Sequence, residues 1–151
     1  MLYTKHGRRY RFATADEVLE AAAKYLVAER RGAKITSPED AVLLARHLAA
    51  GRETESFGAI FLDVRHQLIA AETLFHGTVD GVTVYRRVVA ERALRYHAAA
   101  VIVFHNHPSG DPEPSAQDRT LTRRLREALE LLEIRLLDHI VVTNTSYARA
   151  V

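Results

Sequence analysis

Two histidines, His105 and His107, stand two residues apart, and a carboxylate, Asp118, follows a proline-rich loop over residues 108–114. In an extended segment, residues i and i+2 project to the same side. Both imidazoles can then face one ion, and the loop can fold the carboxylate back to join them. Two neutral imidazoles and a carboxylate are good zinc ligands, at roughly 2.0–2.2 Å each. Three protein ligands leave a fourth position open, the arrangement of catalytic rather than structural zinc. Zinc acidifies a water in that position towards a pKa of about 7.

The flanking segments must position these groups. Residues 99–104 (Ala-Ala-Val-Ile-Val-Phe) are an unbroken apolar run, and a helix-periodic segment follows the loop. A buried strand therefore ends where the histidines begin, and a helix starts where the carboxylate sits. Open α/β sheets place their chemistry at such strand ends. Plainer readings stand beside this one. The histidines can be ordinary loop residues. Ser115-Ala116-Gln117-Asp118 also reads as a capping box for the helix, a role compatible with metal ligation.

The rest of the chain supplies a sheet and its covering helices. Residues 15–30 are alanine-rich and helical in pattern, with Val18, Ala22, Leu26 and Glu29 along one side and Gly32 as the stop. Ser37-Pro38-Glu39-Asp40 is a second start signal. Ala41, Leu44, Ala45 and Leu48 then share a face, and Gly51 closes that helix. Residues 55–63 and 68–76 read as strands, and the short turn between them favours an antiparallel pair. Gly77 and Asp80-Gly81 mark a loop. Tyr85, Val89, Ala93 and Tyr96 recur at helical spacing, as do Leu121, Leu125, Ala128 and Leu132 after the motif. Residues 134–142 form a last strand. The sum is a mixed sheet with helices on its faces.

Composition bounds the class. A chain of 151 residues with 48% hydrophobic and 26% charged residues suits one globular domain. No apolar run is long enough to span a membrane, and the N-terminus lacks the apolar stretch of a signal peptide. There is no cysteine, which excludes thiolate metal sites and fits a cytoplasmic protein. A formal charge of +2 is too small to argue for nucleic acid. Residues 1–13 do interleave Lys5, Arg8, Arg9 and Arg11 with Tyr3, Tyr10 and Phe12. That stretch is read either as a weak nucleic-acid contact or as an arm packing its aromatics on the domain.

His-x-His, seven residues, Ser, two residues, Asp is similar to the JAMM signature of the JAB/MPN metalloprotease superfamily, and stands here as His105, His107, Ser115 and Asp118. More narrowly, the chain resembles the RadC family, a name tied to DNA repair. The resemblance lies in the strand over residues 55–63, Leu74-Phe75-His76-Gly77-Thr78, Arg86-Arg87-Val88, residues 105–118, and Leu137-Asp138-His139-Ile140-Val141-Val142. It covers about residues 35–146, leaving 1–34 as an N-terminal arm and helix before a RadC-like domain over 35–151. It implies a short, stand-alone member. It also implies a three-layer α-β-α fold with a mixed sheet, cytidine-deaminase-like, and a zinc-dependent hydrolase acting on a peptide or protein amide. By the same resemblance His105, His107 and Asp118 are the Zn2+ ligands, Ser115 helps stabilise the oxyanion, and Glu55 is the general acid/base. Glu53, Glu72 and Glu91 are other glutamates available for that last role. A non-catalytic binding module and a DNA-associated protein on the same fold are the competing readings. A deaminase's cysteine motif is absent. His139, beside Asp138, is read as a structural histidine or as support for the site from behind a ligand. His76 reads as a loop residue, and Arg123, Arg124 and Arg126 as a solvated helix face.

Overall fold

The computed structural model describes residues 2–49, 52–77 and 82–151. In chain order the elements are β1 (Tyr3–His6), β2 (Arg9–Phe12), α1 (Ala15–Glu29), α2 (Pro38–Ala49), β3 (Ser56–Leu62), β4 (Leu68–His76), α3 (Val82–Arg95), β5 (Ala100–Asn106), α4 (Ala116–Glu130), β6 (Arg135–Val142) and β7 (Tyr147–Arg149). β1 and β2 pair only with each other, and the remaining strands form one sheet in the order β4-β3-β5-β6-β7. β3 runs antiparallel to β4 and β5, β5 and β6 are parallel, and β7 returns antiparallel on β6. The expected mixed sheet is therefore present, as is the expected antiparallel β3–β4 pair.

Every residue of β3 and β5 is buried, as central strands covered on both faces must be. Alternate side chains then separate into two cores. Ile60, Leu62, Ile102 and Phe104 pack with Ala23 and Val27 of α1 and Leu44 and Leu48 of α2. Phe57, Phe61, Val101 and Val103 pack with Val89 and Ala93 of α3 and Leu121, Leu125 and Leu129 of α4. The result is three layers, with α1 and α2 on one face and α3 and α4 on the other. Gly58 leaves room for its neighbours on both adjoining strands. A Cβ there would lie 2.4 Å from the Phe104 ring and 2.5 Å from the Glu72 carbonyl oxygen.

One connection decides where the site falls. Parallel neighbours need a crossover, and α4 is the crossover between β5 and β6. The loop of residues 107–115 therefore turns the chain at the C-terminal end of β5 and starts α4 close to it.

Several expectations are corrected. β5 extends to Asn106, so His105 is a strand residue and not the first loop residue. The buried side of α1 carries Ala23 and Val27, while Ala22 is exposed. The strip of abundant alanines marks no sharp edge between faces. Leu132 lies beyond the end of α4 at 40% exposure, and Leu129 is the buried residue one turn after Leu125. His76 ends β4 instead of lying in a loop. Residues 3–12 form the β1–β2 hairpin, whose aromatics are left exposed and not packed on the domain. Tyr3, Tyr10 and Phe12 are all more than half exposed, and Tyr3 and Phe12 stack on each other at 4.9 Å. β7 follows the strand expected to be last. Gly51, Asp80 and Gly81 lie outside the described residues. Among those described, no helix is long and apolar enough to cross a membrane.

Candidate metal centre

β5, the loop after it and the first turn of α4 carry the three expected ligands. His105 and His107 project to the α4 side of the sheet. Their Nε2 atoms lie 3.0 Å apart. Asp118 closes the group, with Oδ1 3.3 Å from His105 Nε2 and Oδ2 3.3 Å from His107 Nε2. Glu55, just before β3, brings Oε1 to 3.8 Å from His105 Nε2. One ligand atom from each of Glu55, His105, His107 and Asp118 falls within 4.8 Å of all the others.

The donor set can be tested for its fit to a metal. His107 Nδ1 lies 2.9 Å from the Asp111 carbonyl. A carbonyl only accepts, so Nδ1 carries the proton and the neutral ring presents a bare Nε2 to the site. Asp118 adds an acceptor-only carboxylate. Acceptors that converge at such distances could hold a cation between them. Ligands about 2.05 Å from a tetrahedral zinc stand about 3.3 Å from one another, which matches the 3.0–3.3 Å spacing of His105, His107 and Asp118. The residues fit zinc. Glu55 stands back from that spacing and its side chain is 44% exposed, where a carboxylate can meet a water. Burial pushes the Asp118 carboxyl up, but the facing His105 ring and the Ser115 N–H hold it below the usual carboxylate range.

Asp118 also caps its helix. Its N–H donates to Ser115 Oγ at 3.0 Å, and its Oδ2 accepts from the Ser115 N–H at 2.8 Å. The same carboxylate thus serves the capping box and faces both histidines. Ser115 is exposed at the N-cap, outside the four-residue group. Its oxygen accepts the Asp118 N–H, and its hydroxyl proton can still donate to a further acceptor.

The other glutamates are placed elsewhere. Glu72 is paired with Arg92 and accepts from Tyr96 Oη, and Glu91 is paired with Arg95. Glu53 lines a cavity of about 370 Å3 that opens beside His107, together with Arg52, Asn106, Thr143 and Asn144.

Two residues had no sequence signal. Asn106, between the histidines, is 2% exposed. Its Oδ1 accepts from the Ser56 N–H at 2.6 Å, and its Nδ2 donates to the Thr54 carbonyl at 3.1 Å. It therefore grips the chain on both sides of Glu55. Thr122 lies one turn after Asp118 and reaches His139. His139 is fully buried and also lies 2.8 Å from His105 Nδ1. Burial is the main cause that lowers its pKa to about 3, which favours the neutral ring. Asp138 does not touch that ring. It binds Arg149 Nε at 2.6 Å instead.

This chain is built as a mixed-sheet α/β domain with a metal-competent cluster at a strand end. A match to the RadC-like JAB domain covers residues 35–150. The chain belongs to that family. It is 48% identical over 133 residues to a UPF0758 protein of Vibrio cholerae serotype O1 (strain M66-2), covering 87% of this chain and 59% of that protein. A UPF0758 protein of Halorhodospira halophila (strain DSM 244 / SL1) gives the same identity and coverage. The chain thus spans about three-fifths of the length of these curated relatives. Another UPF0758 protein, from Vibrio cholerae serotype O1 (strain ATCC 39315 / El Tor Inaba N16961), is 46% identical over 151 residues and is matched over 96% of both chains.

Proposed function

We propose that the chain is a zinc-dependent hydrolase that cleaves an amide bond in a peptide or protein. The observation that carries this reading is the convergence of Glu55, His105, His107 and Asp118. His105, His107 and Asp118 would hold the metal. When bound there, zinc supplies a Lewis acid that acidifies water and polarises a carbonyl.

The chain's own groups do the rest. Glu55 takes a proton from the attacking water and returns it to the leaving amine. Asn106 holds the backbone on either side of Glu55, so the carboxylate keeps its place while the proton moves. The Ser115 hydroxyl donates to the oxygen that gains charge in the transition state. The cavity beside His107, at about 370 Å3, is of the size that accommodates ligands. It gives a segment of substrate room next to the reacting bond. The absence of cysteine suits a reducing compartment, and we read the enzyme as cytoplasmic.

A peptide-library cleavage screen tests this function. The expected result is cleavage that a chelator stops and added zinc restores. Cleavage indifferent to chelator, or none by zinc-loaded protein across the library, would count against it.

A further inference from the structure

We infer that His139 and Thr122 are positioning residues that fix the tautomer of His105, keeping its Nδ1 protonated and its Nε2 bare. The inference rests on the proposed metal site and concerns a part of it that the four converging groups do not settle. His107 is oriented by a backbone carbonyl. His105 has no such partner, because its Nδ1 meets the Nε2 of another imidazole at 2.8 Å. Either ring could donate across that contact.

Counting protons outward from the helix resolves it. Thr122 Oγ1 lies 2.7 Å from the Asp118 carbonyl oxygen. A carbonyl only accepts and a threonine hydroxyl has one proton, so that proton is used there. Thr122 Oγ1 also lies 2.6 Å from His139 Nδ1. Its proton already used, the hydroxyl can only accept, so His139 Nδ1 carries a hydrogen. His139 is 0% exposed, and a second ring proton would make it a buried cation, which is costly. Its Nε2 is therefore bare and accepts. His105 Nδ1 must be the donor, and His105 Nε2 presents its lone pair to His107 and Asp118.

The relay begins and ends on the same site. The Asp118 carbonyl anchors it, and the Asp118 carboxylate faces the ring it orients. Phe57 walls it off, with its ring 5.9 Å from His139 in an edge-on contact and 6.4 Å from His105 in a stacked one. Thr122 is 2% exposed, so water does not compete for the middle of the chain.

Two measurements test this. The first is nitrogen-correlated NMR of the ring tautomers in metal-free protein, at a pH where free imidazoles are neutral. It should show Nδ1–H, not Nε2–H, on both His139 and His105. An Nε2–H tautomer on His139 would overturn the inference. The second is zinc affinity by chelator competition. Thr122→Val should weaken zinc about 10–100-fold, the usual cost of losing an outer-shell partner, and Thr122→Ser should restore it. Unchanged affinity in folded Thr122→Val would also overturn the inference. The NMR result on the parent decides if that variant does not fold. Failure of the parent to bind zinc would sink the proposed function, while the tautomers would still report on the relay.

Discussion

Helices α1 and α4 begin alike. Thr14 Oγ1 accepts from the Glu17 N–H at 3.2 Å, and Glu17 accepts from the Thr14 N–H at 2.9 Å. Ser115 and Asp118 repeat the pattern at 3.0 and 2.8 Å. The two starts differ in what else the carboxylate meets. Glu17 meets donors, since Arg11 reaches it with both terminal nitrogens, at 2.6 and 3.0 Å. Asp118 meets the Nε2 atoms of two histidines, one of which is bare because of its backbone partner. The first carboxylate is already satisfied, whereas the second is part of a cluster that could hold a metal ion. A capping box therefore has no function of its own. The group in front of it decides between a closed structural contact and a cluster that could hold a metal ion.

The largest contrast should appear in catalysis. Glu55→Gln should lower amide hydrolysis by about 10²–10⁴-fold while zinc still binds, because Gln cannot take the water's proton. Glu17→Gln should leave the rate unchanged. Rates on one validated peptide check both, and a fully active Glu55→Gln would remove that residue from the chemistry.

The caps themselves give the next contrast. Ser115→Ala should slow hydrolysis by about 10²-fold, as loss of one oxyanion donor does, in addition to its cost as a cap. Thr14→Ala should cost only about 1 kcal/mol of stability, equally with zinc or with chelator. Kinetics and denaturant melts separate the two. Equal rates for the two variants would reduce Ser115 to a helix cap.

The smallest effect lies in the pH dependence of the α1 cap. Hydrogen bonds from Arg11 and the Thr14 N–H lower the Glu17 carboxyl from 4.5 to about 2. A group whose pKa is lowered on folding stabilises above its unfolded value and ceases to do so as pH falls through the folded one. The melting difference between parent and Glu17→Gln should therefore hold above 4.5 and shrink as pH drops towards 2. A difference that grows with acid would contradict that reading.

Much of this arrangement was legible in the sequence because it depends on local spacing. His105 sits near the end of β5 with His107 two residues on, just past that strand, and Ser115 and Asp118 span one helical turn. The apolar run before them, bounded by the motif, reads as a buried strand. The supporting groups depend on long-range register instead. Asn106 acts through residues 54 and 56, and Thr122 meets His139 across the α4–β6 contact. No spacing in the chain announces either meeting. β7 is three residues long, too short for a periodic signal. The face of α1 was misjudged because alanine at most positions leaves the amphipathic pattern weak, so that tertiary packing chose Ala23 over Ala22.

Zinc-dependent melting of Asp118→Asn beside the parent tests the central claim most directly. A metal that binds only the folded state stabilises it by RT ln(1 + [L]/Kd), about 2.7 kcal/mol at one hundred times Kd. With chelator present, the two proteins should melt close together, since a cap partner is worth only about 1 kcal/mol. Added zinc should then raise the parent's melting temperature well above that of Asp118→Asn. An equal zinc-dependent rise in both proteins would leave Asp118 a helix cap like Glu17 and contradict the account.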